Sequence, residues 1–284
     1  MRQWKLALSA LGAALVVAAC GGGGADTAPK SSVSGVKIFG DSLMDSGTFG
    51  YKFTVQPATG ATAYQVFPER VAASFGVNSM CPFFLFTGTT FIANPAAGCT
   101  NYSVAGGRIN NLTNTATPSN AVPFSIPLQL TTSSAALSAN DFVIIDGGSN
   151  DLADITGAYL GATTPTGIAT YMAALSTLLP SATVNAIVTA TPTSTTLGTA
   201  AGAYAQALAD SLYASVNTNV IAKGVKKIVV VNSSDITLTP RFQAVLAGVT
   251  ASSGSAASAA VQGAVRAWTQ AFNARLASNF ASTN

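Results

Sequence analysis

Val36-Lys37-Ile38-Phe39-Gly40-Asp41-Ser42-Leu43 carries a short apolar run straight into a glycine–aspartate–serine turn, with Asp45 and Gly47 close behind. The run reads as a buried strand, and two others repeat it: Asp141-Phe-Val-Ile-Ile-Asp146 and Lys227-Ile-Val-Val-Val-Asn232. Between and after them, helical spacing predicts helices over 68–75, with proline in the first turn, and over 168–179 and 204–220. A last helix over 261–280 sets Val265, Trp268, Phe272, Leu276 and Phe280 on one side. Residues 251–260, low in complexity, read as a surface loop or the frayed start of that helix. Continuous apolar strands separated by helices predict an α/β fold, a parallel sheet covered on both faces. A serine on the turn leaving a buried strand is also where acyl-transfer enzymes place a nucleophile.

The 284 residues suffice for one sizeable core, and only 8% of them are charged, against roughly 25% in ordinary globular domains. A nucleic-acid partner is therefore not expected, since phosphate neutralisation needs clustered Lys and Arg, and only Lys223, Lys226 and Lys227 gather. Those three read as a helix end followed by the start of a strand.

The amino-terminal segment opens with Arg2 and Lys5, then an apolar stretch over 6–18 too short to span a bilayer comfortably. It ends Val17-Ala18-Ala19-Cys20, which resembles the lipobox of bacterial lipoproteins. That resemblance implies a signal peptide over 1–19, a diacylglycerol on Cys20 and a membrane partner through that anchor. Gly21 in place of aspartate fits outer-membrane sorting; without lipidation the protein would be periplasmic or secreted. Cleavage would leave 11 basic against 10 acidic residues. Residues 20–34 read as a lipidated cysteine and a flexible Gly/Ser-rich linker, and 35–284 as the folded domain. The remaining cysteines, Cys81 and Cys99, are expected to form a disulfide in an exported chain. Their spacing suits no zinc site, and neither metal nor organic cofactor is expected.

Three segments stand where a parallel sheet displays functional residues, at the carboxyl ends of strands. They are Gly40-Asp41-Ser42-Leu43, Asn101-Tyr-Ser-Val-Ala-Gly106-Gly107 and Gly148-Ser149-Asn150-Asp151. Each alone is weak: a tight turn explains the first and a helix cap the third. In this order they resemble the GDSL, or SGNH, serine hydrolases, and the likeness runs over about 36–280, with Ile126-Pro-Leu-Gln129 also fitting. The resemblance implies a flavodoxin-like three-layer α/β/α fold acting on carboxylic esters or lipids. It assigns the nucleophile to Ser42, and the oxyanion donors to the backbone N–H groups of Ser42 and Gly106 and the side-chain amide of Asn150. Asp41, Asp45 and Asp151 are expected to brace their turns.

One block departs from that pattern. The family carries Asp-x-x-His after a last strand, whereas this chain contains no histidine. No base can be assigned to Ser42, and the last strand and helix of the family's fold look missing. The Trp268/Phe272 helix should then lack a partner. The expectation is an incomplete esterase or lipase, weak or inactive as it stands. The alternative is a non-catalytic surface lipoprotein that binds lipid or glycan in the same cleft.

Overall fold

The computed structural model describes residues 33–54, 64–78, 80–112, 122–188 and 191–281. The leader, Cys20 and all but the last two residues of the linker lie outside the described residues, so those expectations are not addressed by it. In chain order the elements are β1 (Gly35–Phe39), α1 (Phe67–Ser74), β2 (Phe84–Phe86), β3 (Phe91–Ala93), α2 (Ile126–Ser133) and β4 (Asp141–Ile145). There follow α3 (Ser149–Gly161), α4 (Pro165–Leu175), α5 (Ser181–Ile187), α6 (Ser194–Asn219), β5 (Lys227–Val230), α7 (Pro240–Ser253) and α8 (Ser255–Ala281).

β1, β4 and β5 form a parallel sheet in the order β1-β4-β5, with Ile38 opposite Ile144 and Ile144 opposite Val229. The segment around Asn101 adds itself beside β1: Ile38 N–H donates to Thr100 C=O and Tyr102 N–H to Ile38 C=O. The fold is thus mixed α/β with a three-stranded parallel sheet and eight α-helices among the described residues.

The alternation of side chains divides the sheet between two unequal cores. Phe39, Val143 and Ile145 join the larger one, into which α2 to α8 send Leu130, Leu152, Tyr171, Val184, Tyr204, Phe242 and Phe272. Val36, Ile38 and Ile144 face the other way against Ala72 of α1. Both faces are thus covered, the second less extensively, by α1 together with Met44, Val77 and Met80, and Val229 stays 42% exposed.

The Trp268/Phe272 helix does have a partner. α8 packs along α6, where the buried alanines Ala200, Ala201, Ala205 and Ala209 leave room for close approach. Trp268 is buried, and its indole N–H donates to Gly198 C=O. Among the described residues the outer edge of β5 pairs with no strand. A groove of about 510 Å³ runs there between Ile228 and Val230 on one side and Leu276 and Phe280 on the other. Val231 N–H donates to Ile145 C=O, so the N–H groups of Val230 and Asn232 point away from β4.

Cys81 and Cys99 are disulfide-bonded, closing the segment that holds the β2–β3 hairpin. A cross-link of 18 residues' separation restricts the unfolded chain by roughly 3 kcal/mol. Reduction, or Cys99→Ser, is expected to lower unfolding free energy by about that amount in urea titrations. An unchanged midpoint would mean the loop is already ordered in the unfolded chain.

Candidate functional site

Gly40 ends β1 with φ of +148°, a conformation that favours glycine. Both its peptide groups are held by one side chain: Gly40 N–H donates to Gln129 Oε1 at 2.9 Å, and Gln129 Nε2 donates back to Gly40 C=O at 3.0 Å. This reciprocal pair, completed by Gln129 Nε2 to Pro123 C=O, fixes the turn on which Ser42 stands. Ser42 is half-buried, and among the described residues its hydroxyl has no hydrogen-bond partner.

The Asn101–Gly107 segment is stitched to the same turn. Asn101 Nδ2 donates to Met44 C=O at 2.7 Å, and its Oδ1 accepts from the N–H and hydroxyl of Ser103. Asp45, fully buried, accepts from the N–H groups of Gly47, Thr48 and Ala105, each at 2.8 Å. Gly106 has φ of +85°. A Cβ on Gly107 would stand 2.5 Å from Gly40 C=O, so only glycine lets the two strand ends meet.

The third segment opens α3. Asn150 Nδ2 donates to Asp41 Oδ2 at 3.2 Å and to Gly107 C=O at 3.0 Å, so one amide joins all three segments. Both its hydrogens are committed in this state, and neither is free for an oxyanion. Asp151 accepts from Ile109 N–H at 3.1 Å and Asn110 N–H at 2.7 Å, tying α3 to the residues just past Gly107. Arg108 pairs with Asp154 at 2.5 Å and donates to Gly106 C=O at 2.6 Å.

Beneath the serine lie two buried carboxyls. Asp146 Oδ1 accepts from Asp41 N–H at 2.9 Å, while its Oδ2 accepts from no donor. Burial, then the adjacent Asp41 charge, raises the Asp146 carboxyl well above the usual carboxylate range. Burial also raises Asp41, against the Leu43 N–H that donates to its Oδ1 at 2.9 Å. Both Asp41 oxygens therefore face donors already, and it braces the turn rather than offering Ser42 a base. The role of Asp146 was not anticipated from the sequence, where it reads only as a strand end.

Ser42 and Asn150 open on a cavity of about 630 Å³ between α3 and α7. Its walls are largely apolar, with Phe53, Ala153, Leu160, Ile236, Phe242 and Val245 among them. Ala153, Leu160, Phe242 and Val245 were not singled out by sequence reasoning, although Ala153, Gly157 and Leu160 recur at helical spacing. Among the described residues lining the cavity, no titratable side chain is suited to deprotonate Ser42. Among the described residues no group of three or more Asp, Glu, His or Cys could hold a metal ion. Cys81 and Cys99 line no part of this cavity. No family model matches the chain, and no curated protein matches it either.

Proposed function

We propose that this chain is a serine ester hydrolase domain of the GDSL/SGNH type, acting through an acyl-enzyme on Ser42 and anchored to the outer membrane through Cys20. The observation that carries the reading is the joining of three sequence-distant segments by the Asn150 amide, two of which, around Ser42 and Asn150, line one cavity. Ser42 supplies the nucleophile at the cavity floor. The backbone N–H groups of Ser42 and Gly106 are the oxyanion donors in this reading, and Asn150 joins them if substrate displaces its bond to Asp41 or Gly107. A donor of that kind is worth about 3 kcal/mol of barrier. The open β5 edge supports a further strand carrying the family's Asp-x-x-His block, seated between Val230 and Leu276. With no histidine, attack by Ser42 is slower by several orders of magnitude, and the residual rate comes from the oxyanion donors and binding.

A second reading, a non-catalytic binder of lipid or glycan, is favoured by two observations: the chain has no histidine, and both Asn150 hydrogens are committed. Reaction of the folded protein with a fluorophosphonate, followed by peptide mapping, decides between them. Slow labelling confined to Ser42 and lost in Ser42→Ala is expected. No label at Ser42 after prolonged exposure would overturn the hydrolase reading and leave the binder.

A further inference from the structure

We propose that the cavity beside Ser42 is a slot for a straight alkyl chain of about ten to twelve carbons, and that Gly157 sets the length it accepts. The inference deepens the esterase reading and rests on it for the ester group that the chain would carry to Ser42.

The slot follows α3. Asn150, Ala153, Gly157 and Leu160 lie on one stripe of that helix and line the cavity together. At about 1.5 Å of rise per residue, Asn150 to Leu160 spans about 15 Å, the extended length of roughly a dozen methylenes. Phe242 and Val245 of α7 form the facing wall. The two threonines in the lining do not make it polar, because their hydroxyls are spent locally. Thr156 donates to Leu152 C=O at 2.6 Å, and Thr239 donates to Ile236 C=O at 2.7 Å. Apart from the exposed Ser234 and Arg241, the remaining polar lining, Asp41, Ser42, Ser149 and Asn150, belongs to the segments around Ser42. A chain with one polar end and an apolar tail matches that division.

Gly157 lines the cavity between Ala153 and Leu160, and a Cβ built there meets no atom within 4 Å, so side-chain bulk added at this position projects into open space of the slot. A larger residue would fill the slot without colliding with the protein. It would also remove a glycine from a helix interior, which favours folding.

The test is calorimetric binding of butyrate, octanoate and dodecanoate, each below its micelle concentration, to the wild type, Gly157→Ala and Gly157→Leu. In the wild type, affinity should rise about threefold per added methylene up to dodecanoate. Gly157→Leu should lose at least tenfold for dodecanoate while butyrate changes less than twofold, with Gly157→Ala between. Thermal unfolding no lower than wild type in both variants shows that the slot, not the fold, has changed. Equal dodecanoate affinity in all three proteins, or affinity independent of chain length, overturns the proposal. Alkyl fluorophosphonates of matching lengths separate this result from the esterase reading. Chain-length-dependent binding without any Ser42 label sinks the ester substrate and keeps the slot. Ser42 labelling that ignores chain length sinks the slot and keeps the esterase. Comparing aryl alkanoates with alkyl acetates then shows whether the chain enters on the acyl or the alcohol side.

Discussion

Gly40→Ala is expected to abolish cooperative folding. A Cβ at this position would stand 1.5 Å from Asp146 Oδ1 and 2.7 Å from its Cγ. Neither partner can move aside. Asp146 is 4% exposed and holds Asp41 N–H, while both peptide groups of Gly40 are clamped by Gln129. Val104 N–H also donates to Gly40 C=O at 3.1 Å. The substitution therefore adds backbone strain, about 1–3 kcal/mol at φ of +148°, to the loss of two or more buried hydrogen bonds at about 1–3 kcal/mol each. The sum, about 3–9 kcal/mol, is comparable to the whole stability of a domain, about 5–15 kcal/mol. Gly47→Ala supplies the contrast. Its φ is +128°, yet a Cβ there meets nothing within 4 Å, so strain alone remains. Urea titrations followed by circular dichroism should show a shifted but intact transition for Gly47→Ala and none for Gly40→Ala. If the two variants unfold within about 1 kcal/mol of one another, the Gly40–Asp146 contact does not hold the turn.

That contact joins residues 106 positions apart, and this is why the sequence yields the strands more readily than the site. β1, β4 and β5 are legible because buried parallel strands are apolar throughout, and Val143, Ile144 and Ile145 need no partner to be recognised. The helices are legible only where their apolar residues recur. α6 starts at Ser194, ten residues before the expected Tyr204, because the buried face of its first turns, Leu197, Ala200 and Ala201, is mostly alanine and stands out weakly. Its start signal is Thr193, whose hydroxyl caps Thr196 N–H. α8 takes in Ser255 to Ala260, the second of the two readings of that stretch, loop or start of the helix, in keeping with alanine as the strongest helix former. α7 was missed altogether, despite Thr239 as cap and Pro240 in the first turn. Since α7 forms one wall of the cavity, missing it hid the cavity too. In the site, Ser42, the Asn101–Gly106 spacing and Asn150 mark three segments. Nothing local indicates that the Asn150 amide is already bound at both hydrogens, or that Asp146 lies under Asp41.

The same burial makes stability depend on pH in an unusual direction. Asp151 is fully buried, and burial pushes its carboxyl up to about 7, against the N–H groups of Asn110 and Ile109 that pull it down. In the unfolded chain an aspartate titrates near 4. The folded state therefore holds its proton more tightly, and the stability this contributes is complete below about pH 4 and lost as pH rises to about 7. Three pH units at about 1.4 kcal/mol each give a decline of about 4 kcal/mol over that window. Asp41 and Asp146, raised by the same cause, act in the same direction. Asp210, lowered chiefly by Arg275, opposes them only at the acid end, and its exposure to solvent keeps that contribution small. Unfolding free energy from urea titrations is expected to be greatest near pH 4–5 and to fall toward neutrality. Asp151→Asn removes the titrating group but keeps one acceptor, so the variant should be weaker at pH 5 and markedly flatter from there to pH 7.5. Parallel slopes in the two proteins would show that Asp151 is ionised throughout. Asp151 anchors Ile109 and Asn110, and these directly follow Gly106, Gly107 and Arg108. A loss of protection at the Gly106–Asn110 amides in hydrogen exchange at neutral pH, restored at pH 5, would locate the weakening at the rim of the site rather than in the sheet.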